Sequence, residues 1–176
     1  MIKGGFGGGS TKTGLLFEGK TDLIQLLSST IGYEIKDSEI GKSVSFNGLE
    51  VAKCYRKHDL YRFLESNSVE WRKLVTKKLL PDDALYVIHN NTLFVIEVKF
   101  QNVAGSVDEK LQTCDFKKKQ YKKLMSQLNI EVEYIYVLSD WFRKPEYKDV
   151  LDYIISVGCH YYFEYLPLQK LGLPVP

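Results

Sequence analysis

Residues 81–101 read Pro81-Asp82-Asp83-Ala84-Leu85-Tyr86-Val87-Ile88-His89-Asn90-Asn91-Thr92-Leu93-Phe94-Val95-Ile96-Glu97-Val98-Lys99-Phe100-Gln101. Two apolar, β-branched and aromatic runs flank a polar Asn-Asn pair, the pattern of strand, turn and strand. Asparagine tolerates the positive φ that tight turns need. A loop centred between Asn90 and Asn91 sets Asp82 opposite Lys99 and Ala84 opposite Glu97. Side chains alternate between faces along a strand, so Glu97, Lys99 and Gln101 share one face. Asp82 joins that face, and Asp83 points the other way. Carboxylates, a lysine and an amide thus gather at the open end of one hairpin, beside a dry run of Leu, Val, Ile and Phe.

Neighbouring carboxylates repel unless a cation or a proton separates them. Their hard oxygens suit Mg²⁺, which takes one or two protein carboxylates and completes its shell with water and phosphate oxygens. A lysine two residues after the second carboxylate reaches the same spot, where it can hold an attacking water or stabilise charge on a phosphate. A solvated Asp–Lys pair at a strand end would carry the same letters, and Glu-x-Lys alone is common. The apolar strand running directly into Glu97, and the Pro-Asp before its partner strand, favour a site.

Pro81-Asp82 followed by Glu97-Val98-Lys99 resembles the signature of the PD-(D/E)XK nuclease superfamily. Gln101 and the stretch Gly105-Ser106-Val107-Asp108-Glu109-Lys110-Leu111 are similar to small type II restriction endonucleases of that superfamily. The resemblance implies an α/β fold with a restriction-endonuclease-like αβββαβ core, a central mixed sheet flanked by helices. It implies Mg²⁺ held by Asp82, Glu97 and the Val98 carbonyl, with Lys99 and Gln101 acting at the scissile phosphate. An acidic residue on the first helix approaches the metal in many such nucleases; Glu18 is the candidate here and Asp22 the substitute. Asp83 replaces Asp82 if the loop is one residue longer. The implied activity is Mg²⁺-dependent, sequence-specific hydrolysis of double-stranded DNA, leaving 5′-phosphate ends. The segments outside the shared core, 58–79 and beyond 139, are where restriction enzymes often carry sequence readout or homodimer contacts. A structure-specific repair or recombination nuclease and a non-catalytic nucleic-acid-binding module of the same fold are the alternatives.

The chain has 176 residues, a single-domain length with material for a sizeable core. Its composition, 44% hydrophobic and 26% charged, fits a soluble globular protein. A net charge of +2 is too mild to argue for nucleic acid, so any basic footprint must be local. The three cysteines, Cys54, Cys114 and Cys159, are widely spaced, which argues against zinc or a disulfide framework and for reduced thiols. No apolar run approaches membrane-spanning length and the start lacks an apolar signal core, so a cytoplasmic protein without membrane contact is expected.

Residues 1–12 contain Gly-Gly-Phe-Gly-Gly-Gly and read as a flexible terminus before one domain over 13–176. Lys12 at its end is a candidate phosphate contact. A helix is expected over residues 13–30, with Leu16, Leu23, Leu27 and Ile31 as its apolar stripe. Within it, Gly14-Leu15-Leu16-Phe17-Glu18-Gly19-Lys20-Thr21 matches the letters of a P-loop but not its chemistry. No buried strand precedes it, and Glu18 would face the phosphates. Residues 43–55 read as a hairpin through Asn47-Gly48, and 58–64 and 69–79 as helices carrying a basic surface. A long helix is expected over 106–128, capped by Ser106 and Glu109. Lys110, Lys118, Lys119 and Lys122 on it are candidate DNA contacts, because a polyanion would relieve their mutual repulsion. Residues 131–138 read as a strand, 145–157 as a helix and 160–166 as a last strand.

Overall fold

The computed structural model of the chain describes residues 10–11, 13–17, 22–101 and 107–176. Short strands β1 (Ser10–Thr11) and β2 (Gly14–Leu16) precede helix α1 (Leu23–Ser28). Strands β3 (Tyr33–Asp37), β4 (Lys42–Phe46) and β5 (Leu49–Tyr55) follow, then helices α2 (His58–Ser66) and α3 (Trp71–Leu74). The central hairpin is β6 (Asp83–Val87) and β7 (Thr92–Lys99), followed by α4 (Val107–Leu111), α5 (Cys114–Met125) and β8 (Glu131–Leu138). Helix α6 (Lys148–Ser156) and strands β9 (His160–Phe163) and β10 (Tyr165–Pro167) complete the order.

Strands β3 to β9 form a seven-stranded mixed sheet in sequence order. Pairing is antiparallel from β3 to β7 and parallel from β7 through β8 to β9. The parallel steps require crossovers, supplied by α4–α5 and by α6. Strand β1, β2 and β10 make a separate small antiparallel sheet. The fold is therefore mixed α/β with a seven-stranded sheet flanked by helices, in line with the expected class.

Period-2 alternation divides the core between the two faces of the sheet. Ala84, Leu93, Val95, Val132, Tyr134 and Tyr136 pack with α2, α3, α5 and α6. Leu85, Val87, Phe94, Ile96, Ile135 and Val137 pack with α1 and the C-terminal leucines Leu166, Leu168 and Leu171. Strand β8 lies inside the sheet with both faces covered, so its sequence is nearly continuous apolar and aromatic. Burying each such side chain stabilises the fold by about 1.5–3 kcal/mol.

Several elements differ from the sequence reading. The single helix expected over 13–30 is a strand, β2, and a short helix, α1, capped by Asp22 accepting from the Gln25 amide at 2.8 Å. Strand β2 is held by β10, from the far end of the chain, a contact that helical periodicity does not contain. Ile31, placed on the apolar stripe, is 72% exposed. The helix expected over 69–79 stops at Leu74, where Val75 turns extended. The long helix is broken at residues 112–113: Thr113 donates to the Lys110 carbonyl at 2.7 Å, and Tyr136 reaches the same carbonyl at 3.3 Å. Side-chain donors there compete with the helical ladder. The last strand is two strands in different sheets, switched at Glu164, whose φ of 55° is left-handed. The Asn47-Gly48 hairpin and the strand over 131–138 stand where expected. The Gly-rich N-terminus, Lys12, Glu18 and the proposed Ser106 cap lie outside the described residues. Among the described residues no helix is long and apolar enough to cross a membrane.

Candidate functional site

The central hairpin pairs Val87 with Thr92 and Asp83 with Ile96. Its loop is thus residues 88–91, centred between His89 and Asn90 rather than between Asn90 and Asn91. The register moves by two residues, which preserves every face and changes every partner. Carried one step past β6, it sets Asp82 across from Glu97, and Val95 replaces Glu97 opposite Ala84. The loop closes with Asn91 at φ 52° and its amide bonded to the Ile88 carbonyl.

Glu97, Lys99 and Asp82 converge on the face covered by α5. Lys99 Nζ lies 3.1 Å from Glu97 Oε2 and 3.9 Å from Asp82 Oδ2, so one ammonium spans both carboxylates. Asp82 is half exposed, whereas Glu97 is only 5% exposed. Two further groups close on Glu97. Lys117 Nζ, from α5, lies 2.9 and 3.1 Å from its two oxygens, and the Tyr134 hydroxyl, from β8, donates to Oε1 at 2.5 Å. Burial by itself would raise the Glu97 pKa; Lys99, Lys117 and the Tyr134 hydroxyl together outweigh it and hold the carboxyl below the ordinary glutamate range. Burial, with the Glu97 charge added, pushes the Tyr134 hydroxyl far above its usual range, so it stays a donor.

Asp83 belongs to the other face. Arg56 Nε lies 3.2 Å from Asp83 Oδ1, but its hydrogen is aimed at the Asp82 carbonyl, 3.4 Å away. Arg56 also reaches Asp22 Oδ2 at 3.4 Å. Among the described residues no group donates a hydrogen bond to Asp83 Oδ1. Burial pushes the Asp83 pKa up to about 6, against the pull of Arg56, with Asp22 and Asp82 adding to the rise. Asp22 therefore pairs with Arg56 on the Asp83 side of the sheet, not with Lys99 beside Glu97.

Gln101 is buried beyond the end of β7, where its backbone amide and carbonyl are both clamped by the Ser139 hydroxyl at 3.1 Å. Lys110, Lys119 and Lys122 are exposed, with Lys119 paired to Asp115 at 2.8 Å. Lys118 is turned inward instead. Its Nζ binds Glu133 at 3.0 Å and the Gly158 carbonyl at 2.5 Å, and the residue is 8% exposed, which withdraws it from a surface role. All three cysteines are buried and free.

Sequence reasoning did not single out Lys117, Tyr134 or Arg56. For Lys117 a signal existed. Cys114, Tyr121 and Leu124 mark the inward stripe of α5, and Lys117 and Lys118 fall within it at helical spacing. Inward lysines demand acidic partners. Tyr134 becomes visible only once the parallel register, Val95 beside Tyr134, is known.

The donor set suits a hard divalent cation. Asp82 and Glu97 already flank one cationic group, and Asp82 is open to water that would fill the remaining coordination positions. Among the described residues no cluster of three or more His, Cys, Asp or Glu side chains forms a metal cage, so such an ion would rely on these two carboxylates and water. Compared with protein-family models, curated proteins and solved structures, the chain matches none.

Proposed function

We propose that this protein is a Mg²⁺-dependent endonuclease that hydrolyses phosphodiester bonds of double-stranded DNA, of the type II restriction class that its Pro-Asp and Glu-x-Lys residues resemble. One observation carries the reading: Asp82 and Glu97, from opposite strands of the hairpin, share Lys99 on one face of the sheet. The order around them supports it, since a helix and a parallel strand follow β7 as the αβββαβ core requires.

Asp82 and Glu97 would hold the metal, with the Val98 carbonyl beside them. When bound, Mg²⁺ supplies Lewis acidity and charge neutralisation at the phosphate. Lys99 stands on the same face and would orient the attacking water, then stabilise charge as it builds on the phosphate oxygens. Water is the nucleophile in this reading, and, as the resemblance implies, its attack would break the P–O3′ bond and leave a 5′-phosphate and a 3′-hydroxyl. Exposed Lys110, Lys119, Lys122 and Lys123 on α4 and α5 would meet the DNA backbone.

A second reading draws on the closure of Glu97, which is fully occupied by Lys99, Lys117 and Tyr134. A non-catalytic DNA-binding module would keep such a pairing for structure alone. Incubation with plasmid and phage DNA in Mg²⁺, followed by sequencing of the ends, separates the two. Cleavage that chelation stops, and that Asp82→Asn and Glu97→Gln each lose, is the expected result. Intact DNA with undiminished binding would leave the binding module. Cuts confined to junctions or ends would point to repair.

A further inference from the structure

Lys117 belongs to neither strand of the hairpin, yet it makes the only contact that straddles both oxygens of Glu97 among the described residues, at 2.9 and 3.1 Å. Its side chain is largely buried, and its neighbour Lys118 is committed elsewhere, to Glu133. The local charges balance: Asp82 and Glu97 against Lys99 and Lys117. A Mg²⁺ ion binds oxygen at about 2.0–2.1 Å. An ammonium seated on both oxygens of the same carboxylate therefore competes with it for position and repels it by charge.

We propose that Lys117 is a resident counterion on Glu97 which a divalent cation must displace, so that this lysine sets the metal affinity of the free protein. The inference rests on the reading of Asp82 and Glu97 as metal ligands. With Lys117 displaced, a divalent ion leaves Asp82, Glu97 and Lys99 one positive charge in excess, and one DNA phosphate restores balance. Metal and DNA then bind each other's complexes more tightly than the free protein, and by linkage the effect is reciprocal. Lys117 acts through Glu97 and is a positioning residue.

Calorimetric titration of MnCl₂ into the DNA-free protein tests this directly. Lys117→Gln should bind Mn²⁺ about tenfold more tightly than the wild type or better, Lys117→Arg should bind like the wild type, and Glu97→Gln should lose binding. Where Gln does not fold, as judged by circular dichroism, Lys117→Met keeps the apolar stem and replaces it. Unchanged or weaker Mn²⁺ binding by the charge-removing variant, with Glu97→Gln still losing it, overturns the counterion role and leaves the metal site standing. Absence of Mn²⁺ binding in both the wild type and the Lys117 variants overturns the metal site and the counterion role together.

Discussion

Asp82 and Asp83 are adjacent in the chain and belong to opposite faces of the sheet: Lys99 Nζ stands 3.9 Å from Asp82, and Arg56 Nε stands 3.2 Å from Asp83. Only Asp82 shares a face with Glu97. Asp82→Asn should therefore reduce DNA cleavage at least about a hundredfold, the scale of lost metal ligation, with DNA binding retained. Asp83→Asn should cut at a rate close to the wild type's. The reverse ranking in a plasmid assay would move the site to the other face.

Asp83 should make stability depend on pH in the direction opposite to a paired carboxylate. Its pKa rises from 3.8 to about 6 on folding, so the native state binds the proton more tightly than the unfolded chain. Stability is then greatest below about pH 4 for this group and falls as pH rises through 6, by an amount on the order of 3 kcal/mol. Asp83→Asn removes that slope. Urea unfolding at pH 5 and at pH 7.5 should show the variant gaining on the wild type at the higher pH. Parallel slopes in the two proteins would refute the assignment.

Glu97 behaves in the usual sense. Its folded pKa is depressed, so its pairing stabilises the protein above the unfolded value and is lost as pH falls through the folded one. Tyr134→Phe deletes a hydrogen bond to this charged group and should cost about 1.5–3 kcal/mol near pH 7. The loss should shrink in acid, once Glu97 is protonated. A cost that stays constant through the acid range in which Glu97 takes up its proton would mean that the hydroxyl contributes through packing alone.

Lys99→Ala should keep Mn²⁺ and DNA binding and slow cleavage by roughly a thousandfold or more, as expected for a group that acts on developing charge. Single-turnover kinetics with saturating metal reads this without interference from affinity. A normal rate would remove Lys99 from the reaction.

The lysines of α5 should separate into two kinds. Lys122→Gln and Lys123→Gln, at exposed positions, should each lower the slope of log affinity against log salt by about one where the residue touches phosphate. Lys118→Gln should leave that slope alone and instead destabilise the fold by about 1.5–3 kcal/mol, because half-exposed Glu133 and the Gly158 carbonyl lose a charged donor. Filter binding at several salt concentrations and thermal melts distinguish the two behaviours.

Much of this site was legible because strand parity survives errors in register. A loop centre misplaced by one residue, and so a register wrong by two, still put Asp82 with Glu97 and Lys99, and Asp83 on the far side. The seven-stranded sheet was legible in part: β4, β5 and β8 announced themselves by Asn-Gly or by apolar length, whereas β3 carries Glu34, Lys36 and Asp37 and reads as polar coil. Strand β2 was concealed by a helical period that its distant partner β10 overrode. Lys117 and Tyr134 reach Glu97 only through the crossover of α5 and the parallel register of β8, and no local pattern encodes either.

The parallel step from β7 to β8 also orders events during synthesis. Glu97 takes its partners from residues 99, 117 and 134, and the last of these sits on a strand that pairs only after the α5 crossover is made. A nascent chain emerges from its N-terminus and folds in that direction. No fragment ending short of β8 can assemble the full set of contacts around Glu97. A ribosome-bound intermediate would thus carry the hairpin with Glu97 lacking its Tyr134 donor, and the complete constellation would arise only once β8 has emerged and paired.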